Sequence, residues 1–248
     1  MNSPKIAVIT LCHPKHRGNM ARRAESISTH FKTIHGYDHF IFEDRGFKKA
    51  FKDEISSLIP TTKFINLWEN PTLRLAESCT PGKLIGYKGM CLFYATEFLN
   101  YLEEYDYVIR MDADSFLKSD LDIDAFITSG AVHGYIRDKT DNHGATRKTL
   151  PAAIKKYVND NKVNILCNEN DINCKNFYSN FGIMKTAFWR STNVSKFLDF
   201  IYKAGGIATH RWGDSTIQGN ALRMFCEPDK IIKLNFKYVH GSHRWRNF

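Results

Sequence analysis

The chain reads as an α/β protein with a mostly parallel, Rossmann-like central sheet flanked by helices, and three observations carry that reading. Its opening alternates short apolar runs with amphipathic ones in the order strand, helix, strand, helix, strand. A mid-chain apolar run, Tyr107-Val108-Ile109-Arg110-Met111, stops abruptly at Asp112-Ala113-Asp114. Directly before it, Tyr87 to Glu104 has helical periodicity. Parallel strands need such crossover helices, and strands buried on both faces read as near-continuous apolar runs.

In chain order, Lys5 to Thr10 has a buried-strand pattern within the apolar stretch Ile6 to Cys12, and a polar loop, Cys12 to Asn19, follows it. A basic amphipathic helix spans Met20 to Ile34 and ends at Gly36. The second strand is Tyr37 to Phe42, closed by Glu43-Asp44; a helix from about Phe47 to Leu58 and a short strand near Lys63 to Leu67 come next. Prolines and polar groups make Glu69 to Gly82 a loop. Beyond the acidic run, Asp122 to Thr128 predicts a short helix, Ala131 to Ile136 a strand, and polar, glycine-containing Arg137 to Arg147 a mobile loop over the site. Leu150 to Val158, Ser195 to Lys203 and Thr216 to Phe225 have helical periodicity, the last opened by a turn at Gly213-Asp214-Ser215.

With 248 residues the chain is long enough for one large core, and its even mix of apolar and charged residues shows no disordered arm. It reads as one domain, with a first half (about 1–117) and a second half (about 118–248). The formal charge of +9 favours acidic partners without choosing among them. No stretch reaches the roughly 18 apolar residues of a membrane span. Six cysteines lack the paired spacing of structural zinc; Cys167 and Cys174 would be close enough to pair in an oxidising compartment, although scattered cysteines are more often free and buried.

Side chains alternate along a strand, so Asp112 and Asp114 point the same way, and two hard oxygen ligands at a strand's carboxyl end suit a divalent cation clamped to a phosphorylated substrate. The plain alternative is a solvated strand end. In an open α/β sheet ligands lie beyond the carboxyl ends of the strands at the switch point, where these acids fall. Trp212-Gly213-Asp214 puts a carboxylate before a helix, either capping it or serving as a general base toward an acceptor hydroxyl. Near the end, His240 and His243 are candidate metal ligands and Arg244 a candidate phosphate cation; the alternative is solvated terminal side chains. Ser179-Asn180-Phe181-Gly182 suits sugar contact or an ordinary turn.

These residues together resemble glycosyltransferase family 15, the fungal Golgi α-1,2-mannosyltransferases. Tyr37 to Lys52 resembles the family's Y-x-x-x-F-x-N-D strand and F-x-x-x-F-K helix, Tyr87 to Phe93 its Y-R-x-M-C-R-F, and Tyr105 to Asp114 its Y-D-Y-Y-W-R-V-E-P-D. Cys174 to Ile183 resembles C-x-F-W-S-N-F-E-I, Gly205-Gly206 with Arg211 to Asp214 resembles G-G and R-W-G-D-A-P-V-H, and Tyr238 to His240 falls on G-Y-x-H. The resemblance implies a single-domain glycosyltransferase-A fold with a DxD-type motif, a GDP- or UDP-linked sugar donor (GDP-mannose by family habit), Mn²⁺ or Mg²⁺, and a glycan acceptor. It implies metal ligands among Asp112, Asp114, His240 and His243. Donor contacts are expected at Thr10, Leu11, His13, Arg17, Arg110, Asp112, Ala113 and Arg244, sugar or acceptor contacts at Tyr87, Asn180, Trp212 and Gly213, and catalysis at Asp214. The expected halves are then donor-binding and acceptor-binding. The family works in the Golgi lumen behind an anchor, so this chain reads as a trimmed catalytic domain or as a soluble cytoplasmic relative.

Departures limit the chemistry. The family's metal-binding glutamate is Asp112 here, a shorter carboxylate that still suits a hard cation. The histidine of W-G-D-A-P-V-H is Gln218, which shifts ligand duty to His240 or His243. The glutamate of S-N-F-E-I, proposed as the family's nucleophile, is Gly182, so no double displacement runs through that position. The family's L-x-R-N is Leu11-Cys12-His13-Pro14, which alters the loop expected at the base. A front-face transfer that retains configuration and a direct displacement with Asp214 as base both remain. Asp112-Ala113-Asp114 also suits an aspartyl-phosphate phosphatase, but no second aspartate follows Asp214 at Ile217 or Gln218. Lys15-His16-Arg17, Arg22-Arg23 and Arg244-Trp245-Arg246 suit a nucleic-acid-binding module, but no recognised motif accompanies them, and no nucleic-acid partner is expected.

Overall fold

The structure is a computed structural model that describes residues 3–13, 16–44, 46–67, 70, 73 and 86–241. The strands are β1 (Ile6–Cys12), β2 (Phe31–Lys32), β3 (Asp38–Glu43), β4 (Thr62–Asn66), β5 (Tyr107–Met111), β6 (Ser115–Leu117), β7 (Leu121–Asp122), β8 (His133–Tyr135), β9 (Asp138–Thr140), β10 (Lys175–Phe177), β11 (Phe181–Lys185), β12 (Ile231–Lys233) and β13 (Tyr238–His240). Seven of them form one sheet in the order β12-β8-β11-β5-β1-β3-β4. β1, β3, β4 and β5 run parallel, β11 runs against both β5 and β8, and β12 is parallel to β8. The acidic segment therefore leaves the middle strand of the sheet, at the edge between its all-parallel half and its mixed half.

Alternation along β1 and β5 builds two cores. Ala7, Ile9 and Val108 face a large cluster with the helices Thr192–Ala204 and Asp214–Phe225, while Ile6, Val8, Ile109 and Met111 face a second cluster with α1 (Arg17–His30) and α2 (Lys49–Leu58). Both faces of the sheet are covered, which is why β1 and β5 are apolar almost throughout. Arg110 shares the face of Val108 and enters the first layer; Thr10 shares the face of Val8 and is fully buried on the α1 side.

Several boundaries differ from the sequence expectation. The helix expected over Tyr87 to Glu104 is α-helical only over Tyr87–Leu92, then widens into a π turn at Phe93–Glu97 and tightens over Phe98–Tyr101. Arg137 to Arg147 is not a loop throughout: β9 pairs with β10, and a helix starts at Gly144 and runs to Asp160. Strands β10 to β13 lie in stretches where no strand was expected. Cys167 and Cys174 are free thiols rather than a pair. Most of the predicted loop Glu69 to Gly82 lies outside the described residues, as do His243 and Arg244. Among the described residues no helix is long and apolar enough to cross a membrane.

Candidate active site

β5 ends at Met111, and the acids occupy the turn that follows. The Asp112 backbone N–H donates to the Asn180 carbonyl at 2.9 Å, and the Ser115 N–H donates to the Asp112 carbonyl at 3.1 Å, closing the turn into β6. β13 pairs antiparallel with β6, with His240 opposite Ser115, and the Gly241 N–H donates to the Asp114 carbonyl at 3.0 Å. This register delivers the imidazole to the acids: His240 Nε2 lies 3.3 Å from Asp114 Oδ1 and 3.7 Å from Asp112 Oδ2. Both acids reach the same imidazole, but from the turn closed by the Ser115–Asp112 hydrogen bond and not through the strand alternation expected from the sequence. Tyr238 anchors the return strand, its hydroxyl beside that of Ser115 and donating to the Asn180 carbonyl at 2.9 Å.

Behind the turn lies a buried ion pair. Arg110, 3 % exposed, contacts the Asp214 carboxylate through Nη1, and its Nη2 is 3.4 Å from Asp112 Oδ1. Its guanidinium lies over the Tyr94 ring at 3.5 Å from the centroid. Asp214 is the first residue of its helix, where negative charge is favoured, and also accepts from the Ser179 hydroxyl at 3.2 Å. Tyr94 sits in the π turn. Its hydroxyl accepts the Leu11 N–H at 2.8 Å, and its carbonyl accepts the Gln218 amide at 2.8 Å. Gln218 thus serves the backbone of a distorted helix, which explains a neutral amide there.

Electrostatics separate the two acids. Burial pushes the Asp112 carboxyl above its ordinary range, against the opposing pull of Arg110 and His240. The hydrogen bond with His240 holds Asp114 below it. Among the described residues no group of three or more His, Cys, Asp or Glu side chains closes into a ready metal cage. The donor set of two carboxylates and an imidazole nevertheless fits a hard divalent cation, which would displace the His240–carboxylate contacts and draw further ligands from its substrate.

Asp112 opens onto a cleft of about 420 Å³ whose lining also includes Tyr87, Arg110, Lys139, Asn180 and Asp214. Tyr87 and Asn180, expected at a sugar or acceptor, line this cleft. Gly213 caps the helix, and a β-carbon there would lie 3.3 Å from Asp141 and 3.4 Å from the Tyr87 hydroxyl, so glycine keeps that wall open. Trp212 is different. It is 3 % exposed, donates to the Thr149 hydroxyl at 2.8 Å and covers Gly206, where a β-carbon would fall 2.3 Å from its ring. Its indole lies behind the wall, outside the cleft lining. Thr10 and Ala113 are buried, so any donor contact there is through backbone; Leu11 spends its N–H on Tyr94. His13 Nε2 is 3.9 Å from buried Asp44, and Arg17 is exposed at the start of α1. Sequence reasoning missed Tyr94, Tyr178 and Lys139; the aromatic run Phe93-Tyr94 looks like ordinary core, and Lys139 like an ordinary surface charge.

The comparisons agree with this architecture. A solved mannosyltransferase Ktr4p from Saccharomyces cerevisiae superposes with a TM-score of 0.83 at 19% identity, covering 96% of this chain and 70% of that one. Core-mannan synthase A from Aspergillus fumigatus, solved in its Mn/GDP form, superposes with a TM-score of 0.80 at 19% identity over 97% of this chain and 75% of that one. Glycolipid 2-alpha-mannosyltransferase 1 of Candida albicans is 26% identical across 92% of this chain. The chain spans 60% of that relative's length. The family profile described as glycolipid 2-alpha-mannosyltransferase matches residues 2–243, and the chain belongs to that family, glycosyltransferase family 15.

Proposed function

We propose that this chain is a metal-dependent mannosyltransferase that moves a mannosyl group from GDP-mannose to a hydroxyl of a glycan acceptor. The observation that carries the reading is the meeting of Asp112 and Asp114, just past the end of the middle strand, with His240 from β13, where Asp112 lines the cleft. Asp112, Asp114 and His240 would hold Mn²⁺ or Mg²⁺, and His243 is a further candidate ligand. When bound, the ion would neutralise charge on the departing nucleoside diphosphate. A relative solved with GDP, and another with manganese and GDP, support the choice of base and cation.

The protein groups favour the front-face route over direct displacement. Asp214 is 3 % exposed and holds Arg110 and Ser179 on its carboxylate. To take a proton from an acceptor it would have to give up a buried ion pair, and breaking such a pair is costly. Its role is then to position Arg110, which in turn orients Asp112. Gly182 offers no nucleophile. Transfer to a mannoside acceptor is tested with GDP-mannose, GDP-glucose and UDP-sugars, each with Mn²⁺ or with chelator. The expected result is Mn²⁺-dependent transfer from GDP-mannose with retention at the anomeric carbon, read by NMR. Activity that survives chelation, or an inverted product, would contradict the reading.

A further inference from the structure

Beyond the acids, the cleft carries cations outside the Asp112–Asp114–His240 and Arg110–Asp214 contacts. Lys139 Nζ lies 4.3 Å from the Tyr178 ring centroid, the Arg137 guanidinium lies 4.3 Å from the same ring, and Arg211 lies 4.0 Å from the Tyr87 centroid. Lys139, Arg211 and both tyrosines line the cleft. The ion pairs of the site go to Arg110 and His240, and among the described residues Arg137, Lys139 and Arg211 have none. Asp141, which shares the lining, accepts the His143 N–H at 2.9 Å.

The Tyr178 ring face attracts both cations, and the backbone that carries them is fixed beside it. β9 pairs with β10, Lys139 opposite Asn176, and the Tyr178 N–H donates to the Arg137 carbonyl at 2.9 Å. Arg211 is likewise fixed, in the left-handed region at φ 59°, with its carbonyl accepting the Thr146 hydroxyl at 2.9 Å. Arg137 and Lys139 thus share the Tyr178 ring without an ion-paired carboxylate, Arg211 stands on the second cleft tyrosine, and an anion in the cleft would relieve the repulsion between the first two. The Tyr178 ring also meets the His240 ring edge-on at 5.9 Å between centroids, so Arg137 and Lys139 stand one ring outward from a candidate metal ligand.

We propose that the acceptor is an anionic glycan, its phosphate or carboxylate group held by Arg137, Lys139 and Arg211. The proposal rests on the transferase reading of this cleft and adds the substrate class. The same cations would serve phosphates of the donor, so the test separates the two sources. GDP with Mn²⁺ is titrated first by calorimetry, where a failure of the transferase reading shows on its own. Methyl α-mannoside, its 6-phosphate and a methyl α-glucuronide are then titrated into the GDP–Mn²⁺ complex. An anionic sugar is expected to bind about tenfold more tightly than the neutral one, an advantage that shrinks as salt rises. R137Q/K139Q/R211Q is expected to erase that advantage while GDP–Mn²⁺ affinity stays within about twofold. Equal affinity for all three sugars in the unmodified protein would overturn the proposal. So would a triple variant that loses GDP–Mn²⁺ binding in step with the anionic sugar, since the cations would then belong to the donor.

Discussion

Two buried arginines flank the acidic turn from opposite faces of the sheet, and they are solved differently. Arg110, on the cleft side, meets two carboxylates, Asp214 and Asp112; burial would pull its guanidinium down, but those charges raise it above the ordinary arginine range. Arg23, on the α1 side, is fully buried and touches neutral groups: His39 Nε2 at 2.6 Å and the carbonyls of Met111 at 3.3 Å and Ile9 at 3.5 Å. Burial lowers it to about 10. The contrast separates a charge that faces the cleft from one that does not. Arg110 is part of a charge network that opens into the cleft, whereas Arg23 clamps β1 and β5 from behind and steadies the carbonyl next to Asp112.

The sharpest break in this contrast is Arg110→Met, which strands the buried Asp214 carboxylate and removes one partner of Asp112. It is expected to cost about 3–5 kcal/mol in urea unfolding, and adding Asp214→Leu should recover part of that loss; a cost below about 1 kcal/mol would deny the buried pair its weight. Arg23→Met leaves an imidazole and two carbonyls without a donor but strands no charge, so its expected cost is smaller, about 1–3 kcal/mol. An Arg23 variant that destabilises more than the Arg110 variant would reverse the comparison.

Acid sharpens it further. His133 is lowered to about 3 by burial, and His39 well below its ordinary value by burial and then by Arg23. Both stay neutral in the folded chain while the unfolded chain protonates them below its ordinary histidine value. Stability is therefore full above about pH 6.5 and falls with pH toward the folded values, by up to about 1.4 kcal/mol per unit for each histidine. His133→Gln should reduce that slope by one histidine's share. Arg23→Met should reduce it only slightly, because burial is the larger cause at His39. An unchanged slope in His133→Gln, from urea midpoints between pH 7 and pH 5, would contradict this. The smallest effect is expected at Gly182, opposite Arg110 in the register. Its β-carbon would make ordinary contacts, 3.5 Å from His133 and 3.6 Å from the Gly134 carbonyl. Gly182→Ala should stabilise by up to about 1 kcal/mol in thermal unfolding, and marked destabilisation would show that the site rejects any side chain.

The parts legible in the sequence were those that local physics dictates. β1, β3 and β5 are buried on both faces, so their apolar runs stand out, and the abrupt stop at Asp112 marked the site before any geometry was known. β11 was missed because Ser179-Asn180 and Gly182 look like a turn; its strand exists through pairing with β5 and β8. β13 is three residues long and invisible without β6 beside it. The Arg110–Asp214 pair joins residues 104 positions apart, which no spacing rule reaches. Trp212 was expected near a sugar only through the family resemblance; the structure buries it over Gly206, where the absence of a side chain lets the indole lie against the backbone.

The account depends on Asp112, Asp114 and His240 gripping a cation that carries the nucleoside diphosphate. Mn²⁺ titrated into the protein with saturating GDP, followed by electron paramagnetic resonance, tests this most directly. One ion is expected to bind per chain, with Asp112→Asn and His240→Ala each weakening it more than about tenfold. Undiminished Mn²⁺ binding in Asp112→Asn would contradict it.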